Sequence, residues 1–307
     1  MKEIGFAAYL TKPVRSAQLF LCLALDMGAD RMASTGEGAP LITRHLIEEQ
    51  KKRNVHILVA EDNVTNQKVV TKMLEKLGYR ADIVENGKEA LNALDGVAYD
   101  IVFMDVQMPE MDGFEATALV REREKQEGRR HVPIVAMTAH AMKGDRERCI
   151  RAGMDDYISK PVQPGDIAEA IGRMLDLPSR AQTPAESSGE ADRPVIFNRD
   201  ALLKRLDGDE ELVSQIIDIF LEHASGQLER LDQAVTEGNA AMVKLHAHSL
   251  KGAAANVEAA AMRDVAFEIE RNAADVQSVA PLMAELEGEL HRLQGFLSSS
   301  KAEGGIK

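Results

Sequence analysis

Residues 101–113 read IVFMDVQMPEMDG. Ile101–Met104 is an unbroken apolar run, short enough for a strand and too short for a typical helix. Asp105 closes it, and the turn-forming stretch with Pro109, Asp112 and Gly113 leads into a helical pattern. The same alternation runs outward in both directions. Strand candidates are Val55–Ala60, Ala81–Val84, Ile101–Met104, Ile134–Met137 and Tyr157–Ser159. Helical patterns fill Thr65–Leu77, Gly87–Leu94, Gly113–Lys125, Gly144–Ala152 and Gly165–Leu175. Short apolar strands separated by amphipathic helices predict a doubly wound α/β domain over residues 54–177, a five-stranded parallel sheet covered on both faces.

The pattern changes beyond it. Residues 178–195 are dominated by Pro, Ala, Ser, Gly and Glu, the composition of a flexible linker. From there the chain is wholly helical: Arg199–Leu206, Asp209–Glu237, Asn239–Val257, Ala259–Arg271 and Val279–Leu297. Short connections between long helices predict an all-α antiparallel four-helix bundle over residues 196–298, followed by a disordered tail, 299–307. Upstream, GFAAYLTKPVRSAQL from Gly5 repeats GMDDYISKPVQPGDI from Gly153. Gly5/Gly153, Tyr9/Tyr157, Lys12/Lys160, Pro13/Pro161 and Val14/Val162 match without gaps. Residues 1–27 thus read as the last strand and helix of a second α/β domain, and 28–53 as a connector. The apolar run Leu19–Leu25 has the look of a secretion signal, but the repeat explains it better.

Composition narrows the function classes. Of 307 residues, 50 are acidic and 37 are Lys or Arg, a net charge of −13. That opposes non-specific binding to nucleic acid or to an anionic membrane. The two cysteines, Cys22 and Cys149, form no CxxC pair, which fits a reducing cytosol and argues against a cysteine zinc site. No apolar run is long enough to span a bilayer.

The chemistry lies at strand ends and on one helix. In a doubly wound sheet, sites form beyond the carboxyl ends of the strands. Glu61 and Asp62 follow the first strand, Asp105 ends the third, Thr138 the fourth and Lys160 the fifth. Three acids at one edge repel unless a cation sits among them, and hard oxygen ligands suit Mg²⁺. One acid can then act as nucleophile toward a phosphoryl group, with Lys160 and the Thr138 hydroxyl on its oxygens. The second candidate is His248, in AHSLKGAAA. At about 100° per residue, Val243, Leu250, Ala254 and Val257 fall within roughly 40° of one line and face the core. His246 lies about 60° from that stripe; His248 lies about 140° away, toward solvent. Lys244 at i−4 and Lys251 at i+3 can reach a phosphate on the ring, and Gly252 at i+4 leaves space beside it. A neutral imidazole can attack an aspartyl phosphate without a metal.

Residues 54–177 resemble a response-regulator receiver domain, whose fold is flavodoxin-like. The motifs are VAEDN, MDVQMPEMDG, MTAHA and YISKP. The resemblance implies Asp105 as phosphoacceptor, Glu61, Asp62 and the Gln107 backbone carbonyl as further Mg²⁺ ligands, and Thr138 and Tyr157 as residues that switch position on phosphorylation. Haloacid-dehalogenase-like phosphatases share an Asp nucleophile but carry a second Asp two residues on, where this chain has Gln107. Residues 196–298 resemble a histidine-containing phosphotransfer domain, with His248, Lys251 and Gly252 on its motif. That family often has Gly where Glu258 stands, which puts the geometry of the following turn in question. The order resembles the C-terminal part of a hybrid histidine kinase with tandem receivers; Lys12 then matches a receiver lysine without its acids, and is expected to do no phosphoryl chemistry. The implied partners are a sensor histidine kinase upstream and a response-regulator receiver downstream. No ATP-binding kinase pattern and no DNA-recognition helix is present in the sequence, so neither autophosphorylation from ATP nor direct DNA contact is expected. The leading expectation is a cytoplasmic phosphorelay intermediate passing a phosphoryl group from Asp105 to His248. The alternative is a binding module switched by phosphorylation of Asp105, with His248 serving other receivers.

Overall fold

The computed structural model describes residues 54–139, 143–175, 197–206 and 208–303. The repeat segment 1–27 with Lys12, the connector 28–53, the linker 178–195 and the last residues of the tail, 304–307, lie outside the described residues.

The sheet is built from β1 (His56–Ala60), β2 (Arg80–Val84), β3 (Ile101–Asp105), β4 (Ile134–Thr138) and β5 (Asp156–Ser159) in the order β2-β1-β3-β4-β5. The β1–β3, β3–β4 and β4–β5 pairs are parallel. Helices α1 (Val64–Lys76), α2 (Gly87–Gly96), α3 (Gly113–Glu127), α4 (Lys143–Arg151) and α5 (Pro164–Met174) form the crossovers. Every residue of β3 and β4 is buried, as continuous apolar runs in a two-face-covered sheet require. The five strands match the expected five to within a residue or two at each end. The order places β1 and β3 at the reversal of the strand sequence, and the carboxyl edge there is where a doubly wound sheet opens a crevice.

The helical part comprises a short α6 (Arg199–Arg205) and four long helices, α7 (Glu210–Thr236), α8 (Ala240–Asn256), α9 (Ala260–Asn272) and α10 (Val276–Glu303). α7 packs on α8, α8 on α9, α9 on α10 and α10 on α7, which closes a four-helix bundle. Its core takes Phe220 and Leu231 from α7, Val243, Leu250 and Ala254 from α8, Ile269 from α9 and Leu286 from α10. Asp209 caps α7 and Asn239 caps α8 through their side-chain oxygens. α10 continues to Glu303, beyond Leu297 where its apolar periodicity ends, because extending a formed helix needs no further nucleation.

Sheet and bundle belong to one compact unit. α1 lies against α7 and α8. This seam brings the two expected sites to one place.

Candidate functional site

Strand register assembles the acid site. Ala60 pairs with Met104, so Glu61 and Asp62 leave β1 beside Asp105. Asp105 pairs with Met137, which sets Thr138 one step further along β4. Thr138 pairs with Ser159, and Lys160 follows, its N–H donating to the Thr138 carbonyl at 2.7 Å. Glu61, Asp62 and Asp105 bring carboxylate oxygens within 4.8 Å of one another. Lys160 Nζ donates to Glu61 Oε2 and to Asp105 Oδ2, both at 2.6 Å. The Gln107 N–H donates to Asp105 Oδ1 at 3.2 Å. Behind Asp105, a Cβ on Gly113 would lie 2.1 Å from the Asp105 carbonyl oxygen, so the loop closes only with glycine there. Tyr157 is half-buried and packs against the sheet core, and the Lys160–Pro161 peptide bond is cis.

The electrostatics follow from burial. Glu61 and Asp105 are buried and Asp62 is half-buried. Burial pushes the Asp105 carboxyl well above the usual carboxylate range; the Lys160 ammonium opposes the shift, and Glu61 and Asp62 reinforce it. Asp62 is pushed up to about 7, first by burial and then by Glu61, against the pull of Lys160 and the Ser249 hydroxyl. Lys160 stays protonated, since Asp105 and Glu61 outweigh the effect of its burial. With three acids and one ammonium the cluster is short of positive charge, and Glu61 raises the pKa of both Asp62 and Asp105. The residues fit a hard divalent cation held by oxygen.

On α8 the phase of the core face is as expected, with Val243, Leu250, Ala254 and Val257 buried. His246 is half-buried. His248 departs from expectation: it is 6% exposed rather than turned to solvent. A helical wheel fixes a residue's angle to its own bundle core and carries no information on a second body covering the opposite face. Here α9 and α1 cover it. Glu270 of α9 accepts from His248 Nδ1 at 2.8 Å with Oε1, and from Lys251 Nζ at 2.5 Å with Oε2. The Lys251 ammonium also lies 5.6 Å from the centroid of the Phe267 ring. Glu270 is pushed down to about 2: its burial works against ionisation, and His248 and Lys251 outweigh it. An ionised Glu270 only accepts, so Nδ1 carries the proton and Nε2 the lone pair. Burial lowers the His248 pKa, Glu270 pulls it back, and Lys251 and Lys160 lower it further. The ring is therefore neutral at neutral pH. Lys244 is exposed.

Sequence reasoning missed Glu270. Its signal was symmetry about the α8–α9 turn. His248 and Glu270 stand 22 residues apart, equidistant from Ala259, and Lys251 and Phe267 are equidistant from the same residue. Residues at equal distance from a tight turn meet across an antiparallel helix pair.

The seam joins the two sites. Asn63, whose Oδ1 caps α1 by accepting from Thr65 and Asn66 N–H, donates its amide to Ser249 O and Oγ, both at 3.1 Å. The Ser249 hydroxyl also bonds Asp62. The residue beside His248 thus touches the acid cluster. Gly252 serves the seam more than the imidazole: a Cβ there would lie 3.3 Å from Asn66 Nδ2. Arg205 of α6 donates to the backbone carbonyl of Asn256 and lies 3.5 Å from that of Val162. Lys76 donates to the Leu206 carbonyl at 2.9 Å and pairs with Asp209 at 3.3 Å.

Parts of the chain are similar to known proteins. Residues 57–172 match the model of the response regulator receiver domain, and residues 215–296 match that of the Hpt domain. The sensor protein GacS of Pseudomonas syringae pv. syringae is 32% identical over 241 residues, which cover 76% of this chain and 25% of that protein. Hybrid signal transduction histidine kinase I of Dictyostelium discoideum is 44% identical over 124 residues, 39% of this chain and 7% of that protein. A receiver domain from a Pseudomonas aeruginosa sensor histidine kinase, solved with magnesium in its active-site cleft, is 39% identical. It covers 40% of this chain and 98% of that one, with a TM-score of 0.36. The chain spans a quarter or less of the length of these curated relatives. Among the described residues, no helix is long and apolar enough to cross a membrane.

Proposed function

For a chain that carries a receiver domain followed by an Hpt domain, and that resembles the C-terminal part of hybrid histidine kinases, we propose a two-station phosphorelay intermediate. These two domains place it in two-component signalling, with histidine kinases and response regulators as the classes of partner. In the first step an Asp105 carboxylate oxygen attacks the phosphorus of a kinase phosphohistidine; the O–P bond forms and the N–P bond breaks. In the second, His248 Nε2 attacks the aspartyl phosphate, the N–P bond forms and the Asp105 carboxylate leaves. A downstream receiver aspartate then takes the group from His248. Residues 54–177 and 196–298 are the two working domains, joined by 178–195, in a cytoplasmic setting.

Each residue has a part. Glu61, Asp62, Asp105 and the Gln107 carbonyl would hold Mg²⁺, which would neutralise charge on the phosphoryl oxygens. Lys160 and Thr138 contact the remaining oxygens, and Thr138 with Tyr157 reports phosphorylation by shifting position. Glu270 holds the proton on Nδ1, and Lys251, with Lys244 at the rim, supplies positive charge to the phosphate. The observation that carries the reading is the seat of Ser249, next to His248, on Asn63 and Asp62.

The test is phosphoryl tracing with labelled acetyl phosphate and Mg²⁺ in wild type, Asp105→Ala and His248→Gln. Acid-labile, base-stable label in wild type, lost in both variants, is the expected result. Label confined to a base-labile aspartyl phosphate would overturn transfer within the chain and leave a module switched by phosphorylation of Asp105.

A further inference from the structure

Two buried amides meet across the seam. Asn66 of α1 and Asn256, the last residue of α8, are each 2% exposed. Asn256 Nδ2 donates to Asn66 Oδ1 at 2.6 Å, between residues 190 positions apart. Neither amide is free to turn over. Asn66 Nδ2 donates to Glu61 Oε1 at 2.6 Å, and a carboxylate accepts only, so Asn66 must present its oxygen to the bundle. At the other end the Arg205 guanidinium lies 3.5 Å from Asn256 Oδ1, and a guanidinium donates only, so Asn256 must present its nitrogen. An anion at one end and a cation at the other polarise the two amides head to tail.

We propose that Asn66 and Asn256 are the specificity-determining pair that makes this receiver the cognate seat of this bundle. The inference deepens the relay reading above and rests on it. An apolar contact at this point would accept any apolar partner. A directional amide pair is different: a receiver without an acceptor at the position of Asn66 leaves Asn256 buried with an unmade bond, and a bundle without a donor does the same to Asn66. Gly252 sharpens the choice, since its missing side chain leaves the space that the Asn66 amide fills. Glu61 gives the pair its link to the chemistry. The carboxylate that sets the Asn66 amide is the one that Lys160 shares with Asp105, so a continuous line of hydrogen bonds runs from the end of α8 to the phosphoacceptor.

The test uses the full chain with Asn66→Ala, Asn256→Ala and the double variant. The first readout needs no phosphate: the rate at which diethyl pyrocarbonate modifies His248, followed by peptide mass spectrometry, with half-buried His246 on the same helix as reference. The second is the rate at which label moves from Asp105 to His248. The expected result is that each single variant raises His248 reactivity at least fivefold and slows transfer by a similar factor. The double variant should go no further than the stronger single. His246 should not change. Effects that multiply in the double variant, no change at His248, or an equal rise at His246 would each overturn the pair. Wild-type chain that shows the expected reactivity pattern but places no label on His248 would sink the relay and leave the pair standing.

Discussion

At the scale of single residues, Glu270 controls the proton on His248. Burial lowers the imidazole pKa, and Glu270 is the group that raises it again. In the proposed relay the neutral ring would be the nucleophile, so acceptance by His248 should be present above its folded pKa and lost as pH falls through it, below the ordinary 6.5. In Glu270→Gln the raising influence is gone, so the acid limb of the pH–rate profile should move to lower pH. The plateau should drop on the order of tenfold or more, as when the orienting partner behind an imidazole is lost. A transfer-rate series from pH 5 to 8 checks both. Linkage gives a second signature. Between the folded and unfolded His248 pKa values the unfolded chain binds the extra proton, so stability is lost as pH falls below about 6.5. Glu258 is a second residue-scale case. Its φ is +57°, which explains why glycine suits this position. The strain, about 1 kcal/mol, is offset by an ion pair with Arg205 at 3.3 Å, whose side chain is only 6% exposed. Glu258→Gly should therefore destabilise the fold by about 1–2 kcal/mol net, because the buried guanidinium loses its acid partner. Urea denaturation that showed Glu258→Gly more stable than wild type would contradict this account.

At the scale of elements, caps and small residues serve two bodies at once. Asn63 caps α1 with its oxygen and reaches Ser249 with its nitrogen. Asn63→Ser should keep the cap to within a few tenths of a kcal/mol and lose the reach, whereas Asn63→Ala should also lose about 1 kcal/mol of helix stability. Thermal unfolding and His248 reactivity separate the two effects. Gly252→Ala splits in the same way: the helix gains up to about 1 kcal/mol, while the new methyl crowds Asn66 and slows Asp105-to-His248 transfer. The strands and helices were legible because continuous apolar runs and 3.6-residue periodicity are local signals, as Ile101–Met104 and the Val243–Leu250–Ala254 stripe show. His248 burial and Glu270 were not, because both depend on which second element covers a helix face. That information lies in the pairing of α8 with α9 and α1 rather than in α8 itself.

At the scale of the molecule, the acid cluster predicts that a divalent cation stabilises the fold. On the proposed reading Mg²⁺ would bind the native arrangement of Glu61, Asp62 and Asp105 and not the unfolded chain, so millimolar Mg²⁺ should raise Tm and chelation should reverse the rise. Asp62→Asn should reduce that response and leave the metal-free Tm equal or higher, since it removes one of three repelling acids. Scanning calorimetry with and without Mg²⁺ checks both. The four strand ends that build this cluster were legible together, because strand-end residues in a doubly wound sheet share one edge. The seam between sheet and bundle was not, since nothing in either periodicity names the surface on which the other rests.

That seam also sets how hard it is to interrupt the conversation between the two stations. Bundle and receiver are parts of one polypeptide, so each meets the other at an effective concentration in the millimolar range. A stray receiver dissolved at micromolar levels is outnumbered about a thousandfold before affinity is considered. Covalent connection would thereby add its own insulation against cross-talk to that proposed for the Asn66–Asn256 pair. On the proposed relay a downstream recipient would have to win by timing, taking the bundle in the intervals when His248 is loaded and the tethered receiver, having given up its phosphate, has let go.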